Sequence, residues 1–142
     1  MVGSIRIISM IQNRILGKGI GVLIEAEPDM QFAGSGDDLD AVLQLFEASH
    51  ADLVLIDLDV PADKGLDAIR RIRDLQGNAW IIALATHDGA DDRDLAIKAG
   101  AATVIPKDLI GRMLVPLIRQ GRPDHAESYE RPKVVELRPP EL

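Results

Sequence analysis

The sequence predicts an α/β protein built on a doubly wound, five-stranded parallel sheet. Apolar patterning switches between a strand period and a helix period, and this alternation repeats five times along the 142 residues. Residues 53–56 and 80–85 are apolar on both faces, as the central strands of a parallel sheet are. Right-handed crossovers between such strands would put helices on both faces and a functional crevice at the carboxyl ends of the strands.

The first two strand-helix units follow this pattern. Residues 5–8 form a short apolar strand, and the helix after it ends before residues 27–29. The inner face of that helix is predicted to comprise Ile15, Leu16, Gly19, Ile20, Leu23 and Ile24. Residues 31–33 predict the second strand, and residues 35–37 offer turn and capping chemistry. The helical stripe that follows consists of Leu39, Val42, Leu43 and Phe46.

The remaining three units complete the domain. The strand at residues 53–56 precedes a helix whose apolar face is Leu66, Ile69, Ile72 and Leu75. The strand at residues 80–85 precedes a helix whose small-residue face consists of Leu95, Ala96 and Ala99. Residues 103–105 predict the fifth strand, and the last helix carries Ile110, Met113, Leu114, Leu117 and Ile118. We therefore assign residues 1–120 to one domain and the proline-rich residues 121–142 to a linker or C-terminal tail.

Composition excludes several classes of function. The chain has no cysteine, which rules out thiolate metal sites and thiol nucleophiles and fits a reducing compartment. A dispersed net charge of −7 and only four aromatic residues disfavour direct contact with nucleic acid. No apolar stretch has the length of a membrane span, and the amino terminus lacks an export signal. These features predict a cytoplasmic protein that makes no direct contact with a membrane.

Asp57 is the most informative residue, because it closes the third apolar strand and opens a turn. Four motifs accompany it in order: Asp57-Leu58-Asp59-Val60-Pro61, Gly65-Leu66, Ala99-Gly100-Ala101-Ala102 and Lys107-Asp108. With these motifs, residues 5 to about 120 resemble the receiver domain of bacterial response regulators, most of all the LuxR/NarL type.

The resemblance implies a flavodoxin/CheY-like (βα)5 receiver sandwich and a role in two-component, phosphorelay signal transduction. In such domains the aspartate accepts a phosphoryl group from a histidine kinase, and the lysine neutralises the phosphoryl oxygens. Mg²⁺ is held by that aspartate together with an acidic pair after the first strand. Carried over by motif, Asp57 would be the phosphoacceptor and Lys107 the neutralising cation.

The chain departs from the family at the metal site. The acidic pair would fall at Ile11 and Gln12, yet the first acidic residue of the sequence is Glu25. Mg²⁺ prefers carboxylate oxygens, so we expect no cofactor and only weak Mg²⁺ binding. The candidate ligands are Asp57, Asp59 and Gln12, although an aspartate in a turn such as Asp59 is more often a cap than a metal ligand.

A second departure concerns the positions that respond to the phosphoryl group. The hydroxyl residue that ends the fourth strand in the family would fall at Ala85, and Thr86 comes one position late. The switch aromatic of the fifth strand would fall at Val104. Together the two departures predict an atypical receiver in which Mg²⁺-dependent phosphorylation at Asp57 is impaired and a phosphoryl group at Asp57 lacks the usual coupling to the distant surface.

The interpretation favoured by these observations is a signalling and protein-interaction module rather than an enzyme. Its partner would be a histidine kinase, an output domain that regulates transcription, or a second copy in a homodimer. Two alternatives stay open: a conventional phosphoacceptor, and an Asp57–Lys107 ion pair that serves the structure alone.

A remote enzymatic alternative is a haloacid-dehalogenase-like phosphatase, suggested by Asp57-Leu58-Asp59-Val60 and the later Gly89-Ala90-Asp91-Asp92. In that class the first aspartate ends the first strand. Here two complete strand-helix units precede it.

Overall fold

The computed structural model describes residues 4–59, 64–86 and 90–121. These residues form a parallel sheet of five strands: β1 (Ile5–Met10), β2 (Met30–Gly36), β3 (Leu53–Asp57), β4 (Trp80–Ala85) and β5 (Thr103–Pro106). Apart from Gly121, the predicted tail at 121–142 lies outside the described residues, as do Val60 and Pro61 of the turn motif and Gly89. The division into domain and tail therefore stays a prediction.

A helix follows each strand: α1 (Arg14–Glu25), α2 (Leu39–Ser49), α3 (Lys64–Leu75), α4 (Ala90–Ala99) and α5 (Ile110–Gly121). Side-chain caps explain where two of them begin. Asn13 Oδ1 accepts hydrogen bonds from the N–H groups of Ile15 and Leu16 at 2.9 and 3.1 Å. Asp38 Oδ1 accepts one from Ala41 N–H at 2.9 Å. These bonds satisfy backbone donors that have no partner inside the first turn of a helix.

The strand order is β2-β1-β3-β4-β5, which confirms the doubly wound α/β prediction. Side chains of the central strands alternate between two apolar clusters, one on each face of the sheet. Leu53 and Leu55 face the cluster that includes α1 and α5, whereas Val54 and Ile56 face the cluster beneath α2, α3 and α4. The order in which strands are added to the sheet reverses between β1 and β3, so the crevice expected of this fold lies at their carboxyl ends.

Two strands are longer than the sequence predicts by two residues or more, β1 and β2. β1 continues to Met10, because its residues pair with β2 on one side and β3 on the other. β2 continues to Gly36, and its register with β1 shifts between Ile7 and Ile8, where Gly34 adopts a φ of 146°. Residues 35 and 36, predicted as a turn, therefore belong to the strand, and Asp38 caps α2 instead. Glycine tolerates this positive φ, and the irregular register explains why the apolar pattern of β2 is short.

Three apolar residues of the predicted helical stripes point outward. Ile15 is 84% exposed, Leu75 is 57% exposed and Leu95 is 45% exposed. The buried residues of α1 are Ile20 and Ile24, and Ile15 lies about 140° around the helix from Ile20 at ~100° per residue. On α4 the buried position is Ala96, so the adjacent Leu95 turns away from the sheet. Exposed Gly19 on α1 departs from the prediction in the same way.

Thr103 offers a direct test of core polarity. Its side chain is buried at the start of β5, and within the described structure Oγ1 has no hydrogen-bond partner. Thr103→Val replaces the hydroxyl with a methyl group of similar shape, and a buried unsatisfied hydroxyl destabilises a fold. We expect the free energy of unfolding in urea to rise by about 1 kcal/mol.

Ser9→Ala is the matched control for Thr103→Val, because Ser9 Oγ lies 2.7 Å from Ser35 Oγ. This change removes a satisfied hydrogen bond, and we expect it to lower the free energy of unfolding by about 1 kcal/mol. A loss of stability in Thr103→Val as large as that in Ser9→Ala would show that the Thr103 hydroxyl makes a stabilising hydrogen bond in the folded protein.

Candidate functional site

The carboxyl ends of β1, β3, β4 and β5 meet at one edge of the sheet. Asp57 is the last residue of β3, and Lys107 follows the last residue of β5. Asp57 pairs with Leu84 in the β3–β4 register, and Ala85 pairs with Pro106 in the β4–β5 register. The parallel register therefore brings the two candidate residues together although they are 50 positions apart in sequence.

Asp57 and Lys107 form a close ion pair at this edge. Lys107 Nζ lies 2.9 Å from Asp57 Oδ1 and 3.0 Å from Asp57 Oδ2, so one ammonium group contacts both carboxylate oxygens. Asp57 Oδ1 also accepts a hydrogen bond from the backbone N–H of Asp59 at 2.8 Å. The Asp57 side chain is only 5% exposed, and a carboxylate buried to this extent requires such partners.

Lys107 has a second carboxylate partner. Its Nζ lies 2.9 Å from Asp59 Oδ2, so one lysine is shared between two aspartates. Burial by itself lowers the pKa of Lys107, but the hydrogen bonds and charges of Asp57 and Asp59 outweigh that effect and raise the pKa above its usual 10.5. A raised pKa means that the lysine stabilises the fold below pH 10.5 and that this contribution is lost as the pH rises through the folded-state pKa.

Asp59 is tied to the end of β4 through Thr86, a contact that the sequence did not reveal. The Thr86 N–H donates to Asp59 Oδ2 at 2.7 Å, and the Thr86 hydroxyl donates to the same oxygen at 2.5 Å. Partial burial raises the pKa of Asp59, but the hydrogen bonds from Thr86 and Lys107 outweigh it, and the pKa lies below its usual 3.8. Asp59 therefore stabilises the fold above pH 3.8, and this contribution is lost as the pH falls through the lower folded-state value.

Ala85 and Val104 are buried in the apolar cluster under α2, α3 and α4. At both positions the side chain is aliphatic, with no hydroxyl at the end of β4 and no aromatic ring on β5. Thr86, one residue beyond Ala85, is exposed and supplies the hydroxyl contact to Asp59 instead.

Ile11 and Gln12 are the first two residues after β1. Met10 pairs with Ile56, so Ile11, the residue after β1, falls next to Asp57 at the sheet edge. Ile11 is only 3% exposed and packs in the cluster of α1 and α5, whereas Gln12 is exposed. Among the described residues, no three His, Cys, Asp or Glu side chains are grouped so as to hold a metal ion. With Asp57 and Asp59 already bound to Lys107, this donor set does not match the oxygen-rich shell of Mg²⁺.

Gly65 lets α3 approach the carboxyl end of β3. An added Cβ would lie 2.8 Å from the carbonyl oxygen of Asp57 and 3.0 Å from Leu58 Cα. Both are backbone atoms that cannot rotate away, so Gly65→Ala would displace the helix or the strand end. We expect the free energy of unfolding to fall by about 2 kcal/mol in urea denaturation, with changed NMR shifts at Asp57 and Lys107.

Gly19→Ala is the matched control for Gly65→Ala, because a Cβ at Gly19 in α1 would meet nothing within 4 Å. Alanine is the better helix former, so this control is expected to stabilise the protein by up to about 1 kcal/mol. If the two variants change stability alike, the close approach at Gly65 does not constrain the site.

No helix in the described part of the chain is both long and apolar enough to cross a membrane.

Comparison with known proteins places this site in a family context. The model of the response regulator receiver domain family matches residues 12–119. The chain is similar to the nitrate/nitrite response regulator protein NarL of Escherichia coli (strain K12), at 26% identity over 107 residues, covering 75% of this chain and 50% of NarL. It is 23% identical over 133 residues to the transcriptional regulatory protein DegU of Brevibacillus brevis, covering 92% of this chain and 54% of DegU. The chain thus spans about half the length of these curated relatives.

Solved structures show the same fold. A two-component response regulator of the LuxR family from Aurantimonas sp. SI85-9A1 superposes with a TM-score of 0.78 at 26% identity, covering 94% of both chains. The response regulator domain of Thermotoga maritima CheB superposes with a TM-score of 0.73 at 20% identity, covering 82% of this chain and 95% of that domain. In this chain Asp57 ends the third strand of that fold, whereas the aspartate of the phosphatase alternative would end the first strand.

Proposed function

Because the chain belongs to the response regulator receiver domain family, we propose that it acts as an atypical receiver whose Mg²⁺-dependent phosphorylation at Asp57 is impaired. It is a LuxR/NarL-like receiver domain of a two-component system. In the proposal, Asp57 is the phosphoacceptor candidate and Lys107 the neutralising cation, while signalling proceeds mainly through protein contacts. The chain itself does not turn over a substrate.

The observation that carries this proposal is the chemistry beside Asp57 at the end of β1. A buried isoleucine and an exposed glutamine stand where the resemblance calls for two acids. Isoleucine has no metal-binding atom, and the glutamine amide offers one neutral oxygen. Asp59, the other nearby carboxylate, is bound to Thr86 and Lys107. Any Mg²⁺ at this edge would therefore depend on Asp57 and Asp59 in competition with the lysine, with Gln12 as the third candidate ligand.

The electrostatic energy between a carboxylate and a nearby cation shows why the two missing acids matter for Mg²⁺ binding. A carboxylate about 4 Å from a cation contributes on the order of 4 kcal/mol per unit of cation charge at an effective dielectric of about 20. Phosphoryl transfer relies largely on positioning and on cations that offset the charge of the phosphoryl oxygens. Even half of that energy, lost at each position, would lower Mg²⁺ affinity strongly.

The aliphatic side chains at Ala85 and Val104 also support the proposal, because these positions would couple Asp57 to the surface that binds partners. A ligand shifts a conformational equilibrium only when it makes different contacts in the two states. Neither side chain has a polar atom or a ring that could change partners when a phosphoryl group arrives. We therefore expect little coupling between Asp57 and the surface of α4, β5 and α5, even where phosphorylation occurs.

Partner binding is proposed for one of two helical surfaces, the face of α4, β5 and α5 or the face of α1 and α5. Exposed apolar side chains support both: Leu95 on α4, and Ile15 and Val22 on α1. The partner would be a histidine kinase, an output domain or a second copy of the chain, in the cytoplasm. Any contact with DNA would be made by an output domain, so transcription would be regulated indirectly.

The test is phosphorylation with acetyl phosphate and Mg²⁺, read by intact mass for the wild type and Asp57→Ala. We expect the wild type to gain little or no mass, with no difference from Asp57→Ala. Efficient gain of one phosphoryl group that is abolished in Asp57→Ala would contradict the proposal. That outcome would favour the second candidate function, a conventional phosphoacceptor. The close contact of Lys107 with both oxygens of Asp57 supports this candidate.

A further inference from the structure

Three hydrogen-bond donors from two different strand ends converge on one oxygen atom, Asp59 Oδ2. They are the backbone N–H of Thr86 at 2.7 Å, the hydroxyl of Thr86 at 2.5 Å and the ammonium group of Lys107 at 2.9 Å. One donor, the ammonium group of Lys107, is cationic and also contacts both carboxylate oxygens of Asp57. Such a cluster is a binding site for an anionic oxygen.

We propose that Asp59 is an internal ligand of this anion site and competes there with any small tetrahedral oxyanion, including a phosphoryl group. Its carboxylate holds the N–H, hydroxyl and ammonium donors that such an anion would need beside Asp57. The inference deepens the proposed function, on which its relevance to phosphorylation rests, by assigning part of the impairment to an occupied site. Asp59 thus acts as a specificity-determining residue rather than as a simple turn cap.

The different burial of the two aspartates explains which of them can move out of the site. The Asp57 side chain is 5% exposed, whereas that of Asp59 is 36% exposed. Asp59 can therefore rotate toward solvent and be hydrated, while Asp57 cannot leave Lys107 without leaving a buried charge uncompensated. The site has two states: closed, with Asp59 bound to the donors, and open. An anion that binds only the open state has an apparent affinity equal to its intrinsic affinity multiplied by the fraction of molecules in the open state.

Charge adds to this competition. In the closed state two carboxylates share one ammonium group, so an approaching anion meets a site with excess negative charge. Removal of the Asp59 charge leaves Asp57 and Lys107 as a neutral pair and frees both donors of Thr86. Both effects predict tighter anion binding when Asp59 is replaced.

The experiment is a titration with orthophosphate in the absence of metal ions, followed by NMR of the Thr86 amide and the Lys107 ammonium group. Asp59→Ala is expected to bind orthophosphate about tenfold more tightly than the wild type, with shifts centred on Thr86 and Lys107. Asp59→Asn should show a smaller gain, because its amide oxygen still accepts from Thr86. The matched control is Asp74→Asn, which removes one charge from an exposed position on α3.

An orthophosphate affinity of Asp59→Ala no higher than that of Asp74→Asn would overturn the inference. So would a gain whose shifts lie away from Thr86 and Lys107. Urea denaturation of each variant establishes that it is folded, and Asp59→Asn serves as the conservative variant if Asp59→Ala is not. Because no metal or phosphodonor is present, this result is independent of whether acetyl phosphate labels the wild type, which tests the proposed function alone.

Discussion

Replacing Ile11 and Gln12 with aspartate is expected to raise Mg²⁺ affinity by about 100-fold or more. The two new carboxylates would stand beside Asp57 at the end of β1, where the wild type offers an aliphatic side chain and an amide. Even after screening by water, two added charges near a divalent ion supply several kcal/mol of attraction, and about 1.4 kcal/mol corresponds to a factor of ten. Isothermal titration calorimetry with MgCl₂ measures the change.

The matched control for this variant carries asparagine at both positions. It reproduces the size and polarity of aspartate without its charge, so the difference between the two variants isolates the carboxylates. Because Ile11 is buried, both variants lose stability, and Gln12→Asp alone provides a milder version at an exposed position. Equal Mg²⁺ affinities of the aspartate and asparagine variants would mean that the missing acids are not what limits metal binding.

Lys107→Met is expected to lower the free energy of unfolding by about 3 kcal/mol at neutral pH. The lysine contacts both oxygens of Asp57, and its removal leaves a buried carboxylate with one described donor, the N–H of Asp59. The pKa of Lys107 is raised, so the stability difference between wild type and variant should persist up to pH 10.5 and shrink as the pH rises through the folded-state value. Urea denaturation as a function of pH measures both features.

Two further variants make the Lys107 result specific. Lys18→Met removes an exposed lysine of α1 and is expected to change stability by less than about 0.5 kcal/mol. The double variant Asp57→Asn/Lys107→Met removes the carboxylate charge together with its partner, and it should recover part of the stability lost in Lys107→Met. Equal losses in Lys107→Met and Lys18→Met would show that the Asp57–Lys107 pair contributes nothing to the fold.

The sequence was sufficient for the order of elements and for the pairing of Asp57 with Lys107. Apolar runs with two buried faces marked β3 and β4, and a parallel sheet brings residues at neighbouring carboxyl ends together. The motifs around Asp57 and Lys107 therefore predicted an ion pair that lies at 2.9 Å in the structure. The absence of an acidic residue at positions 11 and 12 was likewise visible in the sequence, because it depends on residue identity alone.

Other parts of the site depend on side-chain direction, which periodicity does not specify. Thr86 was one position away from the expected hydroxyl, yet it lies beyond the end of β4 and turns toward Asp59. Lys107 contacts both Asp57 and Asp59, and this sharing depends on the local backbone path of the turn after β3, which the spacing of the residues does not specify. Similarly, Ile15 and Leu95 fit an apolar stripe in sequence, but the helix rotation set by Ile20 and Ala96 exposes them.

Mg²⁺ titration of the wild-type protein, followed by amide NMR, tests whether the lack of acids at positions 11 and 12 makes Mg²⁺ binding weak. Amide shifts at Asp57, Leu58 and Gln12 report the site, whereas Trp80 lies at the other end of β4 and would be a poor fluorescence reporter. We expect no saturation at sub-millimolar Mg²⁺. Sub-millimolar saturation with shifts centred on Asp57 would contradict it.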